Sequence, residues 1–208
     1  MSATSPSPRQ QRSQQTRHRL LEATVDELAD RGYAELRTAA VASRGGVSQG
    51  SVFAHFGNKV RLVAAAATHY FERELNADAV AIDLDAPLED RVWRLLEVMW
   101  AEMRSDAYLG VLEVYSAART NAALREAMAP VVLAEIQRAE NAGHLVLSHL
   151  AGLGTNEAAR GRFDALVATL IYTLQAAARE AATLGRPDPR EPVLRQLQAQ
   201  IVRELRAP

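Results

Sequence analysis

The 208-residue sequence predicts an all-α protein, with nine helices in a two-domain architecture: a small N-terminal head and a larger helical remainder. Three observations carry that expectation. Apolar residues recur at helical spacing in one segment after another, as at Leu21, Val25 and Leu28, or at Leu194, Leu197, Ile201 and Leu205. Glycine and proline cut these segments apart at Gly32, Gly45-Gly46, Gly152-Leu153-Gly154 and from Gly185 to Pro189. Charge is divided as well: residues 1–61 hold nine basic and five acidic side chains, residues 62–208 fifteen and twenty. The formal net charge is only −1, yet a basic head on an acidic remainder points to a polyanionic partner at one end.

Residues 1–12, MSATSPSPRQQR, are polar and broken by proline. They read as a flexible N-terminal arm, either a frayed tail or one whose Arg9 and Arg12 reach phosphate or a minor groove. The first helix is expected from about Ser13 to Arg31 and ends at Gly32. Thr38 can cap a second helix, a short run containing Ala39, Ala40, Val41 and Ala42. Gly45-Gly46 stops it, because glycine accepts the left-handed conformation that ends helices. Ser48 is the next cap candidate, and behind it Val52 and Phe56 stand four residues apart on one face of a third helix. Two short helices joined by a tight turn make a helix-turn-helix, so residues 13–61 read as a DNA-binding domain. Its second helix would enter a major groove with its N-terminal residues nearest the bases. Gln49, Ser51 and His55 can donate hydrogen bonds there, and no carboxylate lies between Leu36 and Lys59. Gly50 costs a helix interior roughly 1 kcal/mol relative to Ala, but lets the backbone come close to DNA.

The stretch GVSQGSVFAHFGNKVRL resembles the signature of the tetracycline-repressor (TetR) family of bacterial regulators. Gly46, Val47, Ser48, Gly50, Ser51, Val52, His55, Phe56, Lys59 and Leu62 match it in register. Thr16-Arg17 through Gly32-Tyr33 and Thr38 also resemble the family's first helix and its exit. The resemblance covers roughly the first third of the chain. It implies contacts to double-stranded operator DNA from Arg17, Thr38, Ser48, Gln49, Gly50, Ser51, Phe53, His55 and Lys59. Two departures stand out. Phe53 occupies the place of a tyrosine whose hydroxyl commonly meets a phosphate, and Gly45 replaces the usual alanine before the turn glycine.

Lys59 opens the fourth helix, which is expected to run to about Asp78 and to join the head to residues 62–208. A lysine in a first helical turn opposes the helix dipole, a cost that a phosphate held at that terminus offsets. Asp83, Asp85 and Pro87 signal a loop. Helix five then carries two apolar stripes, Leu88, Val92, Leu95 and Met99 beside Trp93, Leu96, Trp100 and Met103, so it is expected to be buried on two sides. Helix six spans about Asp106 to Ala118. Helix seven spans about Asn121 to Leu150, with Pro130 expected to kink or split it. Helix eight, about Asn156 to Leu184 with Thr155 as cap candidate, repeats apolar residues as a heptad seam. A second row, Ala165, Ala168, Tyr172 and Ala176, is rich in small residues. Helix nine runs from about Pro192 to Arg206.

The seam of helix eight and the face of helix nine exceed what one domain of this size needs internally. Phe163, Val167, Leu170, Leu174, Ala177, Ala181, Leu194, Leu197 and Ile201 are therefore expected to form a homodimer interface as a four-helix bundle. The resemblance also implies a small-molecule effector pocket among helices five to eight, for which Trp93, Trp100, Met103, Tyr108, Leu112, Tyr115 and Met128 are the candidates. His144 and His149, five apart, do not align as metal ligands on one helix face and read as ordinary histidines.

The chain lacks cysteine, so disulfide frameworks and thiolate metal sites are excluded. No apolar run is long enough to span a membrane, and residues 1–15 have no signal-peptide core, so a cytoplasmic protein without a membrane partner is expected. No catalytic set and no cofactor motif is found. The expected function is a dimeric repressor released from a near-palindromic operator by a small molecule. A ligand-independent DNA-binding or architectural protein with the same head is the alternative. A small all-α enzyme or carrier is the third reading, and the in-register match argues against it.

Overall fold

The structure, a computed structural model, describes residues 7–75, 83, 85–150, 152, 157–184 and 189–206. Among these there are nine α-helices and no strand: α1 (Pro8–Glu35), α2 (Thr38–Arg44), α3 (Gln49–Phe56), α4 (Lys59–Leu75), α5 (Leu88–Met103), α6 (Asp106–Ala118), α7 (Ala122–Leu150), α8 (Glu157–Leu184) and α9 (Arg190–Arg206). The expected all-α class is the observed one.

Helix α1 begins five residues earlier than the sequence reading placed it. Ser7 caps it, its Oγ accepting from the Gln10 amide at 3.3 Å while the Gln10 side chain accepts from the Ser7 amide at 2.8 Å. This reciprocal box satisfies two amides that a helix start otherwise leaves unpaired, and Pro8 at the first position has its φ pre-set. The arm expected over residues 1–12 is thus helical from Pro8, and Arg9 and Arg12 ride on α1. The arm's first six residues lie outside the described ones. The helix breaks at Gly32 (φ 71°, ψ 174°), and a further turn runs to Glu35. Helix α7 stays continuous through Pro130, which was expected to kink or split it; Pro130 is solvent-exposed. The cap candidate Thr155 lies outside the described residues.

Contacts divide the chain into two compact units, Met1–Glu74 with Asp106–Val132, and Leu75–Ser105 with Leu133–Pro208. The division expected between residues 61 and 62 would cut the first turn of α4; the units part instead at the end of that helix, between Glu74 and Leu75, and its Leu62, Val63, Ala66 and Tyr70 are buried. Helix α6, expected to belong wholly to the larger domain, packs along α1 in the first unit. The reason is a missing side chain. A Cβ at Gly110 would lie 2.6 Å from the backbone carbonyl of Leu28, so only glycine permits this approach. Around it Leu28, Val111 and Val114 are almost fully buried, each contributing about 1.5–3 kcal/mol by leaving water.

In the second unit α5 lies between α8 and α9 in its contacts, as its doubled stripe predicts. Val92, Leu95, Leu96, Trp100 and Met103 are buried, as are Leu194, Leu197 and Ile201 of α9. Polar ties hold α9 on α5: Gln198 donates to the Glu89 carbonyl at 2.8 Å, and Arg206 pairs with the Glu89 carboxylate at 2.6 Å.

Because the α1–α6 contact admits no side chain at residue 110, Gly110→Ala is expected to destabilise the protein by about 1–3 kcal/mol through overpacking. Urea denaturation followed by circular dichroism measures this; a gain in stability would show that the two helices separate freely.

Candidate nucleic-acid interface

The turn between α2 and α3 is built by backbone geometry. Gly46 adopts φ 64°. Its amide bonds the Ser43 carbonyl at 3.1 Å, and the Val47 amide bonds the Ala42 carbonyl at 3.0 Å. This pair of bonds is a Schellman termination, which asks for a left-handed residue where the glycine stands. Ser48 then caps α3, accepting from the Ser51 amide at 3.3 Å. Val52 and Phe56 point inward and are buried, so the opposite face of α3 is left to solvent. Gln49, Gly50 and Phe53 are exposed, while Ser51 and His55 are half-buried.

Thr38 does not cap α2. Arg37 takes that position without a side-chain cap bond, and Thr38 is the first helical residue. Its hydroxyl instead accepts from the Gln49 side chain at 3.4 Å, which joins the starts of the two short helices. Phe53 is 48% exposed, a large apolar ring facing solvent beside polar neighbours. Arg17 is exposed and stacks its guanidinium over the Phe56 ring at 5.4 Å.

The end of α2 is held to α1 by a charge cluster that sequence reasoning missed. Glu27 is only 3% exposed. Arg44 Nε donates to its carboxylate at 2.9 Å, and Arg44 also pairs with Asp30 at 2.5 Å and lies near Asp26. A carboxylate this buried needs a hydrogen-bonded cation, because an unpaired one costs several kcal/mol. Glu27 falls on the same face as Leu20 and Leu28 at helical spacing; this polar residue in an apolar stripe was the available signal.

Lys59 is placed differently from its expected role. Its ammonium donates to the Tyr33 carbonyl at 2.8 Å and lies 4.4 Å from the centre of the Tyr33 ring. Burial pushes it below the ordinary lysine range, and the Glu35 carboxylate opposes that shift. Lys59 therefore closes the end of α1, where carbonyls lack helical partners. The Tyr33 amide in turn donates to Glu113 of α6 at 3.2 Å. Asn58 caps α4 through its side chain, accepting from the Arg61 amide at 2.9 Å. The exposed cations near the α2 and α4 starts are then Arg37 and Arg61, neither of which was singled out from sequence.

The candidate pocket residues fall into both units. Tyr108 packs against Tyr70 and Tyr115 against Phe71 in the first, where Met128 is also buried and Leu112 half-buried. Trp100 and Met103 are buried in the second. Trp93 is half-buried and lines an open cleft of about 420 Å³ with Glu97, Arg190 and Glu191. The expected dimer residues turn out to face inward. Phe163, Val167, Leu170, Leu174, Ala181, Leu194, Leu197 and Ile201 are buried within the single chain, and Ala177 is half-buried. Their heptad spacing serves packing within the second unit, so this seam offers no free surface. The neighbouring row is the open one: Ala165 and Ala176 are exposed, Ala168 half-buried and Tyr172 62% exposed. No described helix is long and apolar enough to cross a membrane.

These placements separate the exposed cations Arg37 and Arg61 from Lys59, which is held in a structural contact. Arg37→Ala and Arg61→Ala are each expected to reduce the slope of log affinity against log salt for duplex DNA by about one unit. Lys59→Ala is expected to lower the melting temperature and to leave the slope unchanged. Fluorescence anisotropy on a labelled duplex over a salt series distinguishes them, and a flattened slope for Lys59→Ala would return its ammonium to the phosphate contacts.

Residues 20–66 match the family described as bacterial regulatory proteins, tetR family. An uncharacterized HTH-type transcriptional regulator of Mycobacterium tuberculosis is 31% identical over 126 residues, which are 59% of this chain and 63% of that protein. The match thus spans less than two thirds of the curated relatives' own length. A TetR-family transcriptional regulator from Streptomyces coelicolor has a similar fold, with a TM-score of 0.67 at 19% identity over 92% of this chain and 80% of that one. A transcriptional regulator from Rhodococcus sp. Rha1 aligns with a TM-score of 0.59 at 25% identity, over 90% of this chain and 96% of that one. The multidrug binding protein EbrR, crystallised with imidazole, aligns with a TM-score of 0.57 at 23% identity, over 92% and 96% of the two chains. The first three of these proteins are described as transcriptional regulators. With a motif in register, a Schellman turn that positions it and an all-α chain around it, residues 20–66 carry the helix-turn-helix domain of the tetR family of bacterial regulatory proteins.

Proposed function

We propose that this protein is a sequence-specific DNA-binding transcriptional regulator, acting as a dimeric repressor that a small molecule releases from a near-palindromic operator. The observation that carries the DNA-binding part is the outer face of α3. It presents Gln49 and Gly50 to solvent in the first turn of the helix and Phe53 one turn on, and no carboxylate interrupts it. Major-groove edges are read by such side chains, and amides like that of Gln49 bond adenine. Arg17, Arg37 and Arg61 are exposed on the same unit to meet phosphates. Phe53 offers an apolar ring where a hydroxyl would bond phosphate, so its contact is with a sugar or a thymine methyl.

Dimerisation is assigned to the open face of α8. Small residues at Ala165, Ala168 and Ala176 let a second helix come close, and Tyr172 supplies a large ring that gains by burial. A near-palindromic operator asks two symmetry-related α3 helices to stand about 34–36 Å apart, one DNA turn.

The effector reading rests on polar atoms inside the second unit. His144 Nδ1, Ser148 Oγ and Trp100 Nε1 are buried without hydrogen-bond partners among the described residues. Buried polar groups in a folded protein are normally satisfied, so these three ask for a bound molecule or water. His144 and Ser148 lie one turn apart on α7, and the His144 ring sits 6.4 Å from that of Phe163. The open cleft beside Trp93 is a weaker candidate, since its Glu97 and Arg190 already pair at 3.5 Å.

If each subunit neutralises three or four phosphates, log affinity should fall with log salt at a slope of about −6 for the dimer. Tyr172→Arg should give a monomer by light scattering at micromolar concentration and about halve the slope. A dimer that persists in Tyr172→Arg would place the interface elsewhere. An absence of salt-dependent binding to duplexes from the region upstream of its own gene would remove the regulator reading.

A further inference from the structure

We propose that His18 and Glu22 of α1 and His69 of α4 form a binding site for a divalent transition-metal cation of the zinc type, clasping the two helices of the first unit. His18 and Glu22 are four residues apart, so α1 presents both on one face. His69 comes across from α4. One ligand atom from each residue lies within 4.8 Å of the others. Both imidazoles turn Nε2 toward the same carboxylate oxygen, Glu22 Oε1, at 2.5 Å from His69 and 3.9 Å from His18. The two rings stand edge to face with centroids 5.1 Å apart. Two imidazoles and one carboxylate are a donor set that zinc takes readily, with copper and nickel as competitors.

The distances fit a small rearrangement. Ligands at about 2.0–2.1 Å from a tetrahedral zinc stand roughly 3.3 Å from one another. The observed separations bracket that value, so rotamer shifts below about 1 Å suffice. In the metal-free arrangement a proton occupies the His69–Glu22 contact, and the cation would replace it. The remaining carboxylate oxygen is already held: Arg73 donates to Glu22 Oε2 at 2.7 Å. Such an outer partner fixes a ligating carboxylate and leaves its other oxygen free for the metal. The guanidinium meets Oε2, whereas both imidazoles approach Oε1, so the two contacts do not compete for one oxygen. Access is open on one side only. The His18 side chain is 62% exposed, against 32% for Glu22 and 18% for His69. A cation could therefore enter past His18, lodge against the better-buried pair and keep water in its fourth position.

The site is independent of the DNA-facing residues of α3, and its consequence is mechanical. Helices α1 and α4 are joined here by side-chain hydrogen bonds and by the contact of the two imidazole rings, and a bound metal adds cross-links that exist only in the folded state. Zinc should raise the melting temperature of the whole chain.

The test uses the full chain without a histidine tag, stripped of metal, titrated with zinc chloride against a chromophoric zinc indicator. One equivalent per chain is expected. His69→Gln and Glu22→Gln should each weaken binding by at least about tenfold and abolish the zinc-dependent rise in melting temperature. His18 is a surface residue, so His18→Ala keeps the fold intact and provides a second variant with the same expected loss. His149→Gln, on exposed α7 surface, should bind as the parent does. In proton NMR the ring signals of His18 and His69 should move with zinc while those of His144 and His149 stay. No saturable binding at micromolar zinc, or affinity unchanged in both His18→Ala and His69→Gln, would overturn the proposal and leave the three residues as an ion-pair cluster.

Discussion

The close passage of α6 over α1 is the contact on which the first unit depends. It exists because residue 110 has no side chain and the Leu28 backbone lies where one would be. Helices that approach this closely gain dispersion along their whole facing surface, which a single methyl group would forfeit. The consequence is organisational. A helix that comes late in the chain is joined to the helix that begins it, and the helix-turn-helix hangs from the latter. The unit that carries the helix-turn-helix is therefore not a contiguous stretch of sequence.

Two polar ties then fix the short helices in place. On one side, the buried carboxylate of Glu27 receives Arg44 from the end of α2. On the other, Glu113 of α6 accepts the Tyr33 amide, and the Tyr33 carbonyl accepts from Lys59 at the start of α4. The second tie runs from α6 through the end of α1 to α4, the helix that follows α3. Each member is a charged group or a helix-end backbone group that would otherwise lose its partner. A shift of α6 along α1 would break the hydrogen bond from the Tyr33 amide to Glu113.

The second unit solves a different problem. It buries a heptad seam on α8 and an apolar face on α9 against the doubly apolar α5, and leaves a small-residue row outside. Its interior nevertheless holds buried polar atoms at His144, Ser148 and Trp100. A purely structural core would gain by replacing them with apolar groups, since an unpartnered buried donor or acceptor costs about 1–3 kcal/mol. Their retention is the physical reason to look for an effector inside this unit.

The sequence alone determined the helical class, the helix-turn-helix, its turn and nearly every helix boundary. Those features are local: Gly46, Ser48, Val52 and Phe56 act within a few residues of one another, and periodicity needs no knowledge of a partner. The early start of α1 was legible too, in Ser7, Pro8 and Gln10, where composition outweighed a capping pattern. Tertiary structure alone decided which face met which partner. A seam such as Phe163 to Ala181 looks the same whether it packs within the chain or against a second copy, because burial depends on neighbours far away in sequence. Lys59 likewise carries the same charge whether it meets a phosphate or a carbonyl. Only the fold brought Tyr33 within 2.8 Å of it, and only the fold set His69 across from His18 and Glu22.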